Sequence, residues 1–138
     1  MNNERFKIIE IAKSWLNTPY HKAGRIKGVG CDCGTFLLEV FLEAGLISDI
    51  DLKDYSINRH LHYKDDSYIN LVKMHTKPSD ERLPGNIIMY QWGLSVNHGS
   101  IIVDDNTIIH SVIKKGVLLD EMHKSSYKKR EIGIYSYW

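Results

Sequence analysis

The 138-residue sequence predicts an α+β fold, with N-terminal helices packed on an antiparallel β-sheet in one domain over residues 1–138. Three observations carry this prediction. Helical periodicity dominates residues 4–44, and period-two, β-branched runs dominate the chain after Pro84-Gly85. The two kinds of pattern follow one another rather than alternate, which favours an antiparallel sheet with helices on one side over a βαβ arrangement. A chain of this length buries roughly two thirds of its unfolded surface, enough to fold without staples.

Residues 4–16 read as a helix, because Phe6, Ile8, Ile9, Ala12, Trp15 and Leu16 recur at helical spacing. Asn2 or Asn3 caps its start, and Pro19 enforces its end. Gly24, Gly28 and Gly30 mark 19–31 as a loop. A second helix is predicted over 32–44, with Asp32 at the N-cap and Gly45 at C′. Phe36, Leu37, Val40, Phe41 and Leu42 make much of its surface apolar, which places it centrally. Residues 49–66 are polar and aperiodic, and 67–76 read as a short helix. Strands follow at 86–92, 96–103, 107–113, 117–119 and 132–137, read as a meander.

Eighteen Lys and Arg against seventeen Asp and Glu leave a formal charge of +1, which gives no electrostatic case for nucleic acid. The densest basic cluster, Lys124, Lys128, Lys129 and Arg130, reads as a solvated face. No run approaches the roughly 20 apolar residues of a membrane span. The N-terminus lacks the apolar core of a signal peptide. The expectation is synthesis and folding in a cytoplasm, with delivery by another route for any action outside.

The cysteines, Cys31 and Cys33, are one residue apart, too close for an unstrained bridge. A nucleophilic thiol needs a lowered pKa or an adjacent base. Cys33 falls in the first turn of the predicted second helix, where dipole and unpaired N–H groups favour a thiolate and are placed to meet an oxyanion. Gly34 keeps the backbone open to a substrate. Taken alone, Cys33 also reads as a buried packing residue, and Cys31 fits that description better.

Of seven histidines, His98 and His110 lie inside strong strand patterns. Their meeting depends on the turn between them. A two-residue turn at 105–106 sets His98 opposite Ile113 and His110 opposite Ile101, on different faces. A three-residue turn at 104–106 sets His110 opposite Ser100, with His98 a diagonal neighbour on the same face. Asn106 tolerates the left-handed conformation of such a bulged turn. In that geometry His98 is the general base and His110 orients it by accepting from its second ring nitrogen.

The stretch Thr18-Pro-Tyr-His-Lys-Ala-Gly followed by Gly28-Val-Gly-Cys-Asp-Cys-Gly-Thr-Phe-Leu resembles the NlpC/P60 family, and most resembles its phage cell-wall peptidase branch. Pro84-Gly85-Asn86, Asn97-His98-Gly99 and Ile108-Ile109-His110 resemble later family motifs in the same order. The resemblance covers roughly residues 5–120. It implies a papain-like fold, a Cys33–His98–His110 triad, and contact with substrate around Tyr20, Asp32 and Gly34. It implies hydrolysis of peptidoglycan stem peptides at the γ-D-glutamyl to diamino-acid bond, without cofactor or metal. The phage-like branch implies a tail-associated role or another delivery protein. Gly34-Thr35 stands where the wider family often has Ser-Gly, and Asn86 replaces an Asp.

Three other readings remain open at this point. Cys31, Cys33, His98 and His110 supply four ligands for a metal, although Cys-x-Cys is a weak zinc signal. The same triad serves another amide in an effector amidase, deamidase or acyltransferase. Or the fold persists without turnover as a tail-assembly module. The segment 46–83 is the expected roof of the cleft, with Tyr55, Arg59, His60, His62, Tyr63 and Tyr68 as candidate contacts.

Overall fold

The computed structural model describes residues 3–47 and 67–138. The candidate roof residues Tyr55, Arg59, His60, His62 and Tyr63 lie outside these, and Tyr68 falls in a helix. Helix α1 (Asn3–Ser14) buries Ile8, Ile9 and Ala12. It ends two residues before its predicted limit; Asn17, at φ 70°, turns the chain away. Helix α2 (Cys33–Glu43) starts at the predicted N-cap Asp32 and stops before Gly45, at φ 77°. Within the predicted loop, β1 (Arg25–Ile26) and β2 (Gly30–Cys31) form a small hairpin.

Helix α3 (Ser67–His75) leads into a short strand, β3 (Lys77–Ser79). Then come β4 (Ile87–Trp92), β5 (Ser95–Ile102), β6 (Thr107–Val112), β7 (Gly116–Glu121), the single-turn helix α4 (Ser125–Lys128) and β8 (Glu131–Ser136). The strand order is β3-β8-β4-β5-β6-β7, antiparallel throughout. The meander therefore holds for β4 to β7, and β8 returns to pair with β4 instead of extending the β7 edge. Strand β7 is longer than the predicted 117–119 because it pairs with all of β6.

Each face of the sheet buries its own cluster. Ile87, Met89, Ile101 and Ile109 pack with Ile8, Trp15, Phe36 and Phe41 of the helical layer. The alternate residues Ile88, Tyr90, Ile102 and Ile108 form a second cluster with Met122. This two-sided burial explains why β5 is buried nearly throughout rather than on alternate residues. Asn86 is buried where β4 begins: its Oδ1 accepts from Arg5 Nη1 at 2.8 Å and its Nδ2 donates to the Glu81 carbonyl at 3.0 Å. The amide clamps α1 to the sheet, a structural task that requires a donor and an acceptor on one side chain. Among the described residues, no helix is long and apolar enough to cross a membrane.

Candidate active site

The start of α2 is determined by Asp32, which is fully buried. Its Oδ1 accepts from the N–H groups of Gly34 and Thr35, both at 2.9 Å, and its own N–H donates to Thr35 Oγ1 at 2.9 Å. This is a capping box with threonine at the third position. The second oxygen, Oδ2, accepts from Ala23 N–H at 2.8 Å and ties the preceding loop to the helix. Two consequences bear on the sequence-based expectations. Asp32 acts as the cap and does not line the cleft, and neither does Gly34. The N–H groups of Gly34 and Thr35, expected to meet an oxyanion, are engaged by Asp32.

Cys33 is the first residue of α2 and is nearly buried at 2% exposure. Its thiol donates to the Asn97 carbonyl at 3.3 Å. That carbonyl is available because β5 bulges there. Tyr90 pairs with His98 and Gln91 with Val96, so Asn97 is the extra residue. Its side chain donates from Nδ2 to the Trp92 carbonyl at 2.8 Å and pins the bulge.

His98 and His110 come together. The turn between β5 and β6 is the three-residue kind: Ile101 pairs with Ile109, Ile102 with Ile108, and Val103 N–H donates to the Thr107 carbonyl at 2.9 Å. Continuing that register sets His110 opposite Ser100, with His98 on the diagonal, a spacing within reach of long side chains. His98 Nε2 lies 2.9 Å from His110 Nδ1. Asn106 does not adopt the left-handed conformation expected of it. The Asp104 carboxylate accepts from Asn106 N–H at 2.9 Å, and this Asx turn closes the loop instead.

A residue the sequence reading did not single out completes the row. His110 Nε2 lies 3.0 Å from Asp120 Oδ2 on β7. His110 pairs with Leu118, so Asp120 is again the diagonal neighbour, one strand further along. Asp120 also accepts from Tyr127 Oη at 2.6 Å and from Lys124 Nζ at 2.7 Å. Part of the basic cluster read as a solvated face thus serves the site through Lys124.

Burial, and then the neighbouring His110, push the His98 pKa down to about 3. Burial also lowers that of His110, against the pull of Asp120. Both rings are therefore neutral near pH 7. For Asp120, burial works to raise the pKa, but hydrogen bonds from Lys124, Tyr127 and His110 outweigh it and hold the group ionised.

The cleft, of about 260 Å³, is lined by Tyr20, Cys33, Asn97, His98 and His110, with Trp92, Val112, Ile113 and Tyr127 as apolar walls. The Tyr20 hydroxyl is buried with no hydrogen-bond partner among the described residues. Cys31 turns elsewhere, its sulfur 3.7 Å from Ser111 Oγ, and burial pushes its pKa up to about 11. Among the described residues, no three Cys, His, Asp or Glu side chains gather as a metal site.

The sequence model of the NlpC/P60 family matches residues 17–136. The chain belongs to the NlpC/P60 family. Solved structures agree on the NlpC/P60 fold. An NlpC/P60 family protein from Bacillus cereus superposes with a TM-score of 0.71 at 22% identity, over 96% of this chain and 40% of that one. NlpC1 from Trichomonas vaginalis gives 0.75 at 16% identity, over 100% of this chain and 45% of its own. The NlpC/p60 domain of the peptidoglycan hydrolase SagA gives 0.64 at 15% identity, over 99% of both. The chain thus spans less than half of the first two proteins and nearly all of the SagA domain. No curated protein matches the chain.

Proposed function

We propose that the chain is a cysteine amidohydrolase that cleaves peptidoglycan stem peptides, at the γ-D-glutamyl to diamino-acid bond. The observation that carries this reading is the shared cleft. It holds a thiol at a helix start and a neutral imidazole whose far nitrogen is already hydrogen-bonded to a second histidine. Family membership supports the hydrolytic class, and the likeness to the SagA domain supports peptidoglycan as the substrate.

In this reading Cys33 Sγ attacks the scissile carbonyl carbon while its proton passes to His98 Nδ1. His98 then protonates the leaving amine, and a thioester remains on Cys33. Water, deprotonated by His98, attacks the thioester, and the proton returns to sulfur as the acid departs. His110 keeps the His98 ring in place throughout. The Tyr20 hydroxyl supplies the donor for the developing oxyanion, since the Gly34 and Thr35 N–H groups serve the cap. Delivery to the wall by a tail-associated or other carrier protein rests on the resemblance of the run from Gly28 to Gly34 to the phage branch of the family.

Thiol alkylation against pH on the wild type, Cys31→Ala and Cys33→Ala, alongside digestion of purified stem peptides, tests the proposal. The expected result is alkylation of Cys33 well below pH 8, cleavage lost only in Cys33→Ala, and near-wild-type turnover in Cys31→Ala. A Cys33 no more reactive than an ordinary thiol refutes it. A reactive Cys33 without peptide cleavage moves the triad to another amide.

A further inference from the structure

The hydrogen-bonded row continues past the second histidine, and its far end determines where the protons sit. A carboxylate only accepts, so Asp120 Oδ2 must receive the proton on His110 Nε2. A neutral His110 then has a bare Nδ1, which must accept from His98 Nε2–H. His98 is left with its lone pair on Nδ1, the form a general base requires. Every step follows from the ionised state of one side chain two strands from the bulge.

We infer that Asp120 is the positioning residue that sets the tautomers of His110 and His98, and that Lys124, together with the Glu121 N–H, determines which of its oxygens meets His110. Four polar groups converge on this carboxylate: His110 from β6, the Glu121 N–H from β7 itself, and Lys124 and Tyr127 from the segment after β7. Lys124 and the Glu121 N–H, the latter at 2.8 Å, bind Oδ1, while His110 and Tyr127 both meet Oδ2. The Asp120 side chain is 11% exposed against 43% for Lys124, so the anion is held inside and its counter-charge reaches in from the surface. Tyr127 also stands edge-on to the His110 ring, 5.5 Å between centroids at 89°, and fixes its plane. The inference rests on the hydrolase reading for its consequence in rate, but not for its consequence in proton position.

Asp120→Asn makes the test sharp, because a carboxamide has one accepting and one donating end. The Lys124 ammonium has only donors and takes the amide oxygen, which turns the NH₂ toward His110. His110 must then accept at Nε2, carry its proton on Nδ1 and donate to His98 Nε2. His98 is forced to hold its proton on Nδ1, and the base is blocked. A wrong tautomer within a Ser-His-Asp triad costs about 10⁴ in kcat. One residue further out, kcat/KM is expected to fall about 10²- to 10³-fold, mainly through kcat. Adding Lys124→Glu gives the NH₂ a charged acceptor that outweighs the Glu121 N–H on the same side, returns the amide oxygen to His110 and restores the original tautomers.

The measurement is ¹⁵N NMR of the histidine rings at pH 7, with stem-peptide turnover on the same samples. Wild type is expected to show both rings protonated at Nε2, Asp120→Asn to show His98 protonated at Nδ1, and Asp120→Asn/Lys124→Glu to revert with at least tenfold recovery of rate. A role confined to stability moves none of these tautomers. Wild-type rings protonated at Nδ1 overturn the inference without recourse to a variant. So does Asp120→Asn that keeps both the wild-type tautomers and the wild-type rate. A double variant that remains in the reversed form overturns the part given to Lys124. Expected tautomers in a protein that cleaves no stem peptide support the relay and refute the stem-peptide reading alone.

Discussion

Replacing Asp32 by alanine separates a structural role from a substrate contact at the residue beside the proposed nucleophile, Cys33. The change removes the fully buried acceptor for the N–H groups of Gly34, Thr35 and Ala23, of which that of Thr35 is buried. Loss of an N-cap acceptor costs about 1–2 kcal/mol. Losing the Ala23 N–H bond adds about 1 kcal/mol, and the total is about 2–3 kcal/mol. Unfolding entropy near 2.1 cal/mol/K per residue amounts to about 0.3 kcal/mol/K for this chain, so Tm is expected to fall by about 7–10 °C. Calorimetry on the wild type, Asp32→Ala and Asp32→Asn measures it. Asparagine keeps the oxygen that caps the helix but turns an NH₂ toward Ala23, so its loss should be about half as large. A drop below about 3 °C in Asp32→Ala, combined with a raised KM, would refute the reasoning and return Asp32 to the substrate.

Two further predictions follow from the site. Tyr20→Phe deletes a buried hydroxyl that has no partner among the described residues, so Tm should hold or rise slightly while kcat falls at least tenfold; a lowered Tm with unchanged kcat would show that the hydroxyl serves packing alone. Stability should also depend on acid pH. His98 takes up a proton near pH 6.5 when unfolded but stays neutral in the fold down to about 3, so the unfolded state binds the extra proton between these values. His110, with its pKa also lowered, acts in the same direction. Stability therefore falls as pH drops below about 6.5, at up to about 1.4 kcal/mol per pH unit per proton. The open edge of His98 on the cleft reduces that slope. Urea midpoints between pH 7 and pH 5 test this, with His98→Gln expected to flatten the profile; a flat wild-type profile would refute it.

Features governed by local chemistry were legible in the sequence. Asp32 before an apolar run and Gly45 after it bracket α2 because caps act over three or four residues. The meeting of His98 and His110 followed from the parity of one short turn, although the device that closes the turn is the Asp104 side chain rather than a left-handed Asn106. Features governed by distant pairing were not legible. Strand β8 pairs with β4 across about forty residues of chain, and nothing local distinguishes that choice from the β7 edge. Asp120 escaped notice because its place beside His110 depends on the turn at 113–115, where Lys114 takes φ 69° without a glycine at that position. Gly116, at φ 84°, is the available signal: reading Ile-Lys-Lys as a three-residue connection that ends at this glycine sets Val112 opposite Gly116, Leu118 opposite His110 and Asp120 on the diagonal.

The bulge at Asn97 explains why a helix residue and a sheet residue share one cleft. In a regular antiparallel strand, backbone carbonyls are committed to the ladder or turned from it in strict alternation. A regular β5 in register with β4 at both ends would pair Gln91 with Asn97, and the carbonyl that meets Cys33 would not be presented as it is. The extra residue brings the Asn97 carbonyl to the thiol and leaves His98 in register with Tyr90, whose ring, with that of Trp92, packs against the imidazole. The same strand thus holds the Cys33 thiol through residue 97 and the His98 imidazole through residue 98. The first contact depends on the irregularity and the second on the regular register beyond it. The positions of the proposed nucleophile and base are therefore coupled through a single peptide, which the Asn97 side chain anchors at the Trp92 carbonyl.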